Sequence, residues 1–63
     1  ELVDVVGSTL ERFVRRALES GDFDFAERMV EVIAAHTKDP LRAFQMGRYR
    51  ERIAFERDYA ARQ

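Results

Sequence analysis

The chain has 63 residues, of which 46% are hydrophobic and 37% are charged, and its formal net charge is −1. This length allows one domain, spanning 1–63, and the composition is neither that of a disordered chain nor that of a membrane span. Cysteine is absent and His36 is the single histidine, so disulfides, thiolate metal sites and zinc sites built from several histidines are excluded.

The small size of the chain favours a binding partner. A domain of about 60 residues buries only about 60% of the surface that its unfolded chain exposes, and its core supplies only about 3–5 kcal/mol. Disulfides and metals are not available to add stability. We therefore expect a homo-oligomer, with a dimer as the first expectation, or a subunit of a larger complex.

The two parts of the chain differ in charge. Residues 1–39 hold nine acidic and five basic residues, whereas residues 40–63 hold six arginines and three acidic residues. An acidic part joined to a basic part favours pairing with a second copy in a defined orientation. The arginines also leave open a contact with a phosphate backbone.

The first helical segment lies near the N-terminus. Ser8 and Glu11 have the spacing of a capping box, which predicts a helix over 9–20, while the apolar residues before Ser8 allow a helix over 2–20. Gly21 suits the left-handed conformation that ends many helices. The apolar residues that share one face of this helix are Val6, Leu10, Phe13, Val14, Ala17 and Leu18.

The second helix is predicted over 23–36, with Asp22 as its N-cap. It carries two adjacent apolar stripes. The first stripe consists of Phe23, Ala26, Val30 and Ile33, and the second of Phe25, Met29 and Val32. A neighbouring helix covers about one stripe, so the second stripe requires the third helix or another chain.

The third helix is predicted over 40–60, because Asp39 and Pro40 form an N-cap followed by proline at the first helical position. It is longer than the other two helices, so its last turns should overhang a three-helix bundle. Its apolar residues are Leu41, Phe44, Met46, Tyr49, Ile53, Phe55, Tyr59 and Ala60. Overhanging aromatic residues favour a partner.

Residues 17–26 resemble the helix–turn–helix of a tetratricopeptide repeat. Gly21, Asp22, Phe23 and Ala26 take the places of the repeat's Gly-Asp-aromatic turn and of the small alanine that follows it. Val14 stands where the repeat carries a small residue. The resemblance covers roughly residues 10–40, and it implies a helical hairpin rather than a repeat scaffold with a peptide-binding groove.

No arrangement of residues predicts catalysis. His36 is interpreted as a histidine at a helix end, and the acidic residues near Asp22 are interpreted as helix-start residues. The chain has no glycine-flanked serine elbow and no phosphate-binding loop. We therefore expect no enzyme, no catalytic, cofactor or metal site, no membrane span and, by default, a cytoplasmic protein.

The sequence as a whole predicts an all-α protein, in which an antiparallel helical hairpin and a longer third helix are completed by oligomerisation or by a partner. Its expected function is that of a protein-interaction or oligomerisation module, such as a docking domain or small subunit. The expected interface residues are Phe13, Phe25, Met29, Val32, Phe44, Tyr49, Ile53 and Phe55.

An alternative function is nucleic-acid binding by the arginine-rich third helix, because arginine interleaved with aromatic residues binds phosphates and stacks on bases. Glu51 and Glu56 interrupt the run of arginines. The residues expected to make this contact are Arg42, Arg48, Arg52 and Tyr59.

Overall fold

The computed structural model describes residues 2–62, and these residues form four helices and no strand. The helices are α1 (Leu2–Val5), α2 (Gly7–Ser20), α3 (Phe23–His36) and α4 (Pro40–Ala61). The predicted all-α class is confirmed.

Helix α3 is the centre of the fold. It packs against α2 on one side and α4 on the other, whereas contacts between the backbones of α2 and α4 are sparse at most. One apolar core joins the three helices, as expected from the apolar spacing of each. Its buried members are Val14, Ala17, Leu18, Ala26, Val30, Ile33, Met46 and Ile53.

The turn between α2 and α3 is fixed by Gly21 and Asp22. Gly21 has φ +78°, and the amides of Gly21 and Asp22 donate to the carbonyls of Leu18 and Ala17, respectively. This Schellman arrangement satisfies the last carbonyls of α2 and requires a left-handed residue, which glycine supplies at little cost. The Asp22 carboxylate then accepts the Phe25 amide at 3.2 Å, so it caps α3.

The turn between α3 and α4 ends at Asp39, whose carboxylate accepts the Leu41 amide at 3.0 Å. Pro40 occupies the first helical position, as predicted. Helix α4 has 22 residues and is therefore about 33 Å long. Arg57 pairs with Asp24 at the start of α3 at 3.0 Å, so the turn of α4 that follows Arg57 extends past α3.

The predicted start of the first helix at residue 9 was wrong, and the predicted helix over 2–20 is matched except for an interruption at Val6. Helix α2 begins at Gly7, with Val6 at the N-cap position and no side-chain cap, so Ser8 and Glu11 do not form a capping box. The chain breaks at Val6 instead of running as one helix over 2–20. The Glu11 carboxylate does not reach back to the Ser8 amide, because it accepts a hydrogen bond from Arg42 in α4 instead.

Ile53 was wrongly assigned to a partner interface. Only 2% of Ile53 is exposed, because it closes the core where α4 crosses α3. Met29 and Tyr49, two other predicted interface residues, are partly buried and pack against the same core.

Candidate functional site

The candidate functional sites within residues 2–62 are features of the surface. Residues 2–62 contain no group of three His, Asp or Glu side chains that could hold a metal ion. The part of the chain that the structure describes also has no buried polar or charged residue. No helix within residues 2–62 has both the length and the apolar character needed to cross a bilayer. The candidate sites are therefore one polar cluster, two apolar faces and one basic groove.

The polar cluster, here called the clasp, ties the N-terminal segment to the start of α4. Arg42 donates from Nη1 to Asp4 and from Nε to Glu11, each at 2.9 Å. The Asp4 carboxylate also accepts the Thr37 hydroxyl, and it accepts the Lys38 amide at 2.9 Å. The clasp thereby holds α1, the start of α2 and the α3–α4 turn together.

Hydrogen bonds within the clasp shift the ionisation of its members. The Thr37 hydroxyl and the Lys38 amide, with Arg42, lower the pKa of Asp4 to about 2. Hydrogen bonds to Glu11 and Asp4 raise the pKa of Arg42 above its ordinary value. Each shift favours the charged form, so Asp4 and Arg42 are both ionised throughout the physiological pH range.

Arg42 is therefore wrong as a predicted nucleic-acid contact. Its side chain is only 15% exposed, and its guanidinium is shared between two carboxylates inside the protein. The guanidinium also lies over Gly7, where a Cβ atom would stand 2.3 Å from the Arg42 Cζ atom. Glycine at this position lets the arginine approach the helix backbone.

The first apolar face, called the α2–α3 face, consists of Phe13, Phe25, Met29 and Val32. Phe13 and Phe25 are exposed and line one open groove between the two helices. Met29 follows Phe25 by four residues and Val32 follows Met29 by three, so all three share one side of α3. Two of the predicted interface residues, Phe13 and Phe25, are thus brought together, and Arg16 and Asp22 line the same groove.

The second apolar face, called the α4 outer face, lies on the side of α4 that points away from the core. Phe44 is 64% exposed and Phe55 is 70% exposed. Phe44 precedes the buried Met46 by two residues, and Phe55 follows the buried Ile53 by two, which is about 200° around a helix. The members of this face are Leu41, Phe44, Arg48, Glu51, Phe55 and Tyr59.

The basic groove lies between α2 and α4 and has a volume of about 410 Å³. Arg48 and Arg52, two of the predicted nucleic-acid contacts, line it together with Arg15 from α2. The acidic Glu11 lines the same groove, and Arg52 donates to Glu56. Tyr59 does not line it.

Two residues of these surfaces, Arg15 and Leu41, were not among the predicted site residues. Arg15 belongs to the basic groove because residues of both α2 and α4 line it, and local spacing does not show which helices will share a groove. Leu41, at 64% exposed, belongs to the α4 outer face. Its spacing of three residues from Phe44 was a usable signal for that face.

Comparisons with protein-family models, with curated proteins and with solved structures gave no match. The resemblance of residues 10–40 to a tetratricopeptide hairpin therefore stays a prediction.

Proposed function

We propose that the protein is a non-catalytic interaction module that binds other protein chains through its two apolar faces. The observation that supports this proposal is the amount of apolar side chain left in water. The large hydrophobic side chains exposed in the described chain are Leu2, Val5, Val6, Phe13, Phe25, Val32, Leu41, Phe44, Phe55 and Tyr59.

Seven of these ten side chains belong to the two apolar faces, and Leu2, Val5 and Val6 lie outside them. Phe13 and Phe25 meet in one groove, and Phe44 and Phe55 are 11 residues, or about three turns, apart on one side of α4. Isolated exposed apolar residues are ordinary on protein surfaces, whereas contiguous patches rimmed by charge are typical of binding sites. Aromatic side chains are also the residues that contribute most to interface energies.

The size of the chain supports the same function. Its core depends on eight buried hydrophobic residues, two of them alanines. A core of this size leaves a domain of about 60 residues only marginally stable. Burial of either apolar face by a partner would stabilise the folded state through mass action. The cytoplasm, where disulfides are rare, is the compartment that we propose for this cysteine-free chain.

The experiment is a pair of double variants, Phe13→Asp with Phe25→Asp for the α2–α3 face, and Phe44→Asp with Phe55→Asp for the α4 outer face. The native chain should associate with itself or with a second protein, and at least one double variant should abolish that association while its helical circular dichroism is unchanged. Sedimentation equilibrium measures self-association, and affinity capture from extract followed by purified-protein titration measures association with another protein.

The proposal is refuted by a native chain that stays monomeric at about 1 mM, where even interactions near 4 kcal/mol are visible, and that captures no protein whose binding is lost in either double variant.

A second candidate function is nucleic-acid binding, which the basic groove favours. Arg15, Arg48 and Arg52 converge there from two helices. Such a site predicts binding that weakens steeply with salt, because phosphate contacts release counterions. The variant Arg48→Glu with Arg52→Glu should abolish the binding, and Arg28→Glu on the exposed side of α3 is the matched control. A native chain that shows no salt-dependent binding to single- or double-stranded DNA or RNA removes this candidate.

A further inference from the structure

The α4 outer face has a sequence that is complementary to itself when reversed. Its central residues are Phe44, Arg48, Glu51 and Phe55, at successive spacings of four, three and four residues. This spacing is the same in both directions along the helix. Read forward, the order is aromatic, basic, acidic, aromatic; read backward, it is aromatic, acidic, basic, aromatic.

We infer that the partner of this face is a second copy of the chain, bound through α4 in antiparallel orientation. The inference rests on the proposed function and specifies its partner and surface. In this arrangement Phe44 lies opposite Phe55 of the second copy, and Arg48 lies opposite Glu51 of the second copy. The two-fold axis passes midway between Arg48 and Glu51, so each of these contacts occurs twice.

The charges on α4 support this pairing. Three arginines of α4 are already paired within the chain, namely Arg42, Arg52 and Arg57, and so is Arg62, which follows the helix. Among residues 2–62, Arg48 and Glu51 have no ion-pair partner, although both are exposed on the outer face. Antiparallel pairing gives each of them an opposite charge from the second copy.

The same charges disfavour parallel pairing. In a parallel pair Arg48 would face Arg48 and Glu51 would face Glu51, and like charges directly opposite one another destabilise an interface. The aromatic residues do not decide the orientation, because both arrangements would bring aromatic rings together. The orientation is therefore set by Arg48 and Glu51.

The area of the face fits a modest dimer. Leu41, Phe44, Phe55 and Tyr59 are each 60–70% exposed, and large aromatic side chains bury 150–250 Å² when fully covered. Covering the four in both copies would remove on the order of 1,000 Å² from water, near the lower limit for a specific interface. Since α3 packs on the opposite side of α4, through Met46 and Ile53, it does not lie between the two outer faces.

The test is a charge-reversal series measured by sedimentation equilibrium. Glu51→Arg places arginine opposite Arg48 of the second copy and should weaken the dimer about tenfold or more. Arg48→Glu should do the same. The combined swap, Arg48→Glu with Glu51→Arg, restores opposite charges and should return the dissociation constant to within about threefold of the native value. Glu31→Arg, an equal charge change on the exposed side of α3, should have no effect.

Cysteine variants test the orientation, because the chain has no cysteine of its own. A mixture of Phe44→Cys and Phe55→Cys chains should form the mixed disulfide in preference to either symmetric one. Preferred symmetric disulfides would overturn the antiparallel assignment.

A native chain that stays monomeric overturns the inference, and so does a dimer that is unaffected by charge reversal but lost in the Phe13→Asp, Phe25→Asp variant. In both cases binding of another protein through the α2–α3 face would remain measurable, so the proposed function is judged separately.

Discussion

Alanine at Gly7 and alanine at Gly47 should change the stability of the protein in opposite directions. Both glycines lie in helices and neither has a positive φ, so alanine is compatible with the backbone at each. A Cβ at Gly47 meets nothing within 4 Å. Gly47→Ala should therefore stabilise the protein by about 0.5–1 kcal/mol, the ordinary gain for replacing glycine inside a helix.

Gly7→Ala should instead destabilise the protein, because the new Cβ atom would clash with the Arg42 guanidinium of the clasp. It would stand 2.3 Å from Cζ of Arg42 and 2.5 Å from Nε, whereas ordinary contact begins at 3.4 Å. The guanidinium must therefore shift by about 1 Å, and because its 2.9 Å hydrogen bonds hold it to Asp4 and Glu11, we expect this shift to weaken them. Gly7 is also the first residue of α2, where alanine gains less than in the interior of a helix.

Thermal unfolding followed by circular dichroism measures both changes. A stability change of 1 kcal/mol moves the midpoint of a domain of this size by about 4–8 °C. Gly47→Ala should raise the midpoint by several degrees, and Gly7→Ala should lower it, so that the two variants differ by roughly 10 °C. In an Arg42→Met background the cost of Gly7→Ala should disappear. The reasoning is refuted if Gly7→Ala stabilises the protein as much as Gly47→Ala does, or if its cost persists without Arg42.

Three further predictions follow from the clasp, the core and the first turn. The pKa of Asp4 is lowered from 3.8 to about 2 in the folded chain, so the ionised carboxylate contributes stability that is complete above pH 3.8 and is lost as the pH falls toward 2. Over that range the melting midpoint of Asp4→Asn should therefore fall less than that of the native chain. Ile33→Ala should cost about 2–5 kcal/mol and leave most of the chain unfolded at 25 °C, whereas Ile33→Val should cost about 0.5–1.5 kcal/mol and stay folded, as urea titration would show. Asp22→Ala should cost about 1 kcal/mol by removing the cap on the Phe25 amide, and Asp22→Asn should retain most of that stability in the same titration.

The parts of the fold that could be predicted are those encoded by neighbouring residues. The α3 bounds follow from Asp22 as its cap and from the spacing of Ala26, Val30 and Ile33. The start of α4 follows from Asp39 and Pro40 in the same way. Caps and apolar stripes act over three or four residues, so a short stretch of sequence contains the whole signal.

The parts that could not be predicted depend on partners distant in the chain. The capping-box spacing of Ser8 and Glu11 is a real local pattern, but Arg42 binds the Glu11 carboxylate from 31 residues away. Arg42 was predicted as a nucleic-acid contact because its two carboxylate partners, Asp4 and Glu11, are also distant in the sequence. Ile53 was placed at an interface because α4 has apolar residues on two faces, and spacing alone does not identify the face that α3 covers.

The clasp also has a consequence for the order of folding. The α2–α3 and α3–α4 contacts join neighbouring helices, and chains dominated by such local contacts fold in microseconds to milliseconds. The pairing of Arg42 with Asp4 spans 38 residues, so it can close only after both helix pairs have formed. Loss of the clasp should then leave the folding rate nearly unchanged and speed up unfolding. A contact between the first and last helices would thus set the lifetime of the folded chain rather than the speed of its formation.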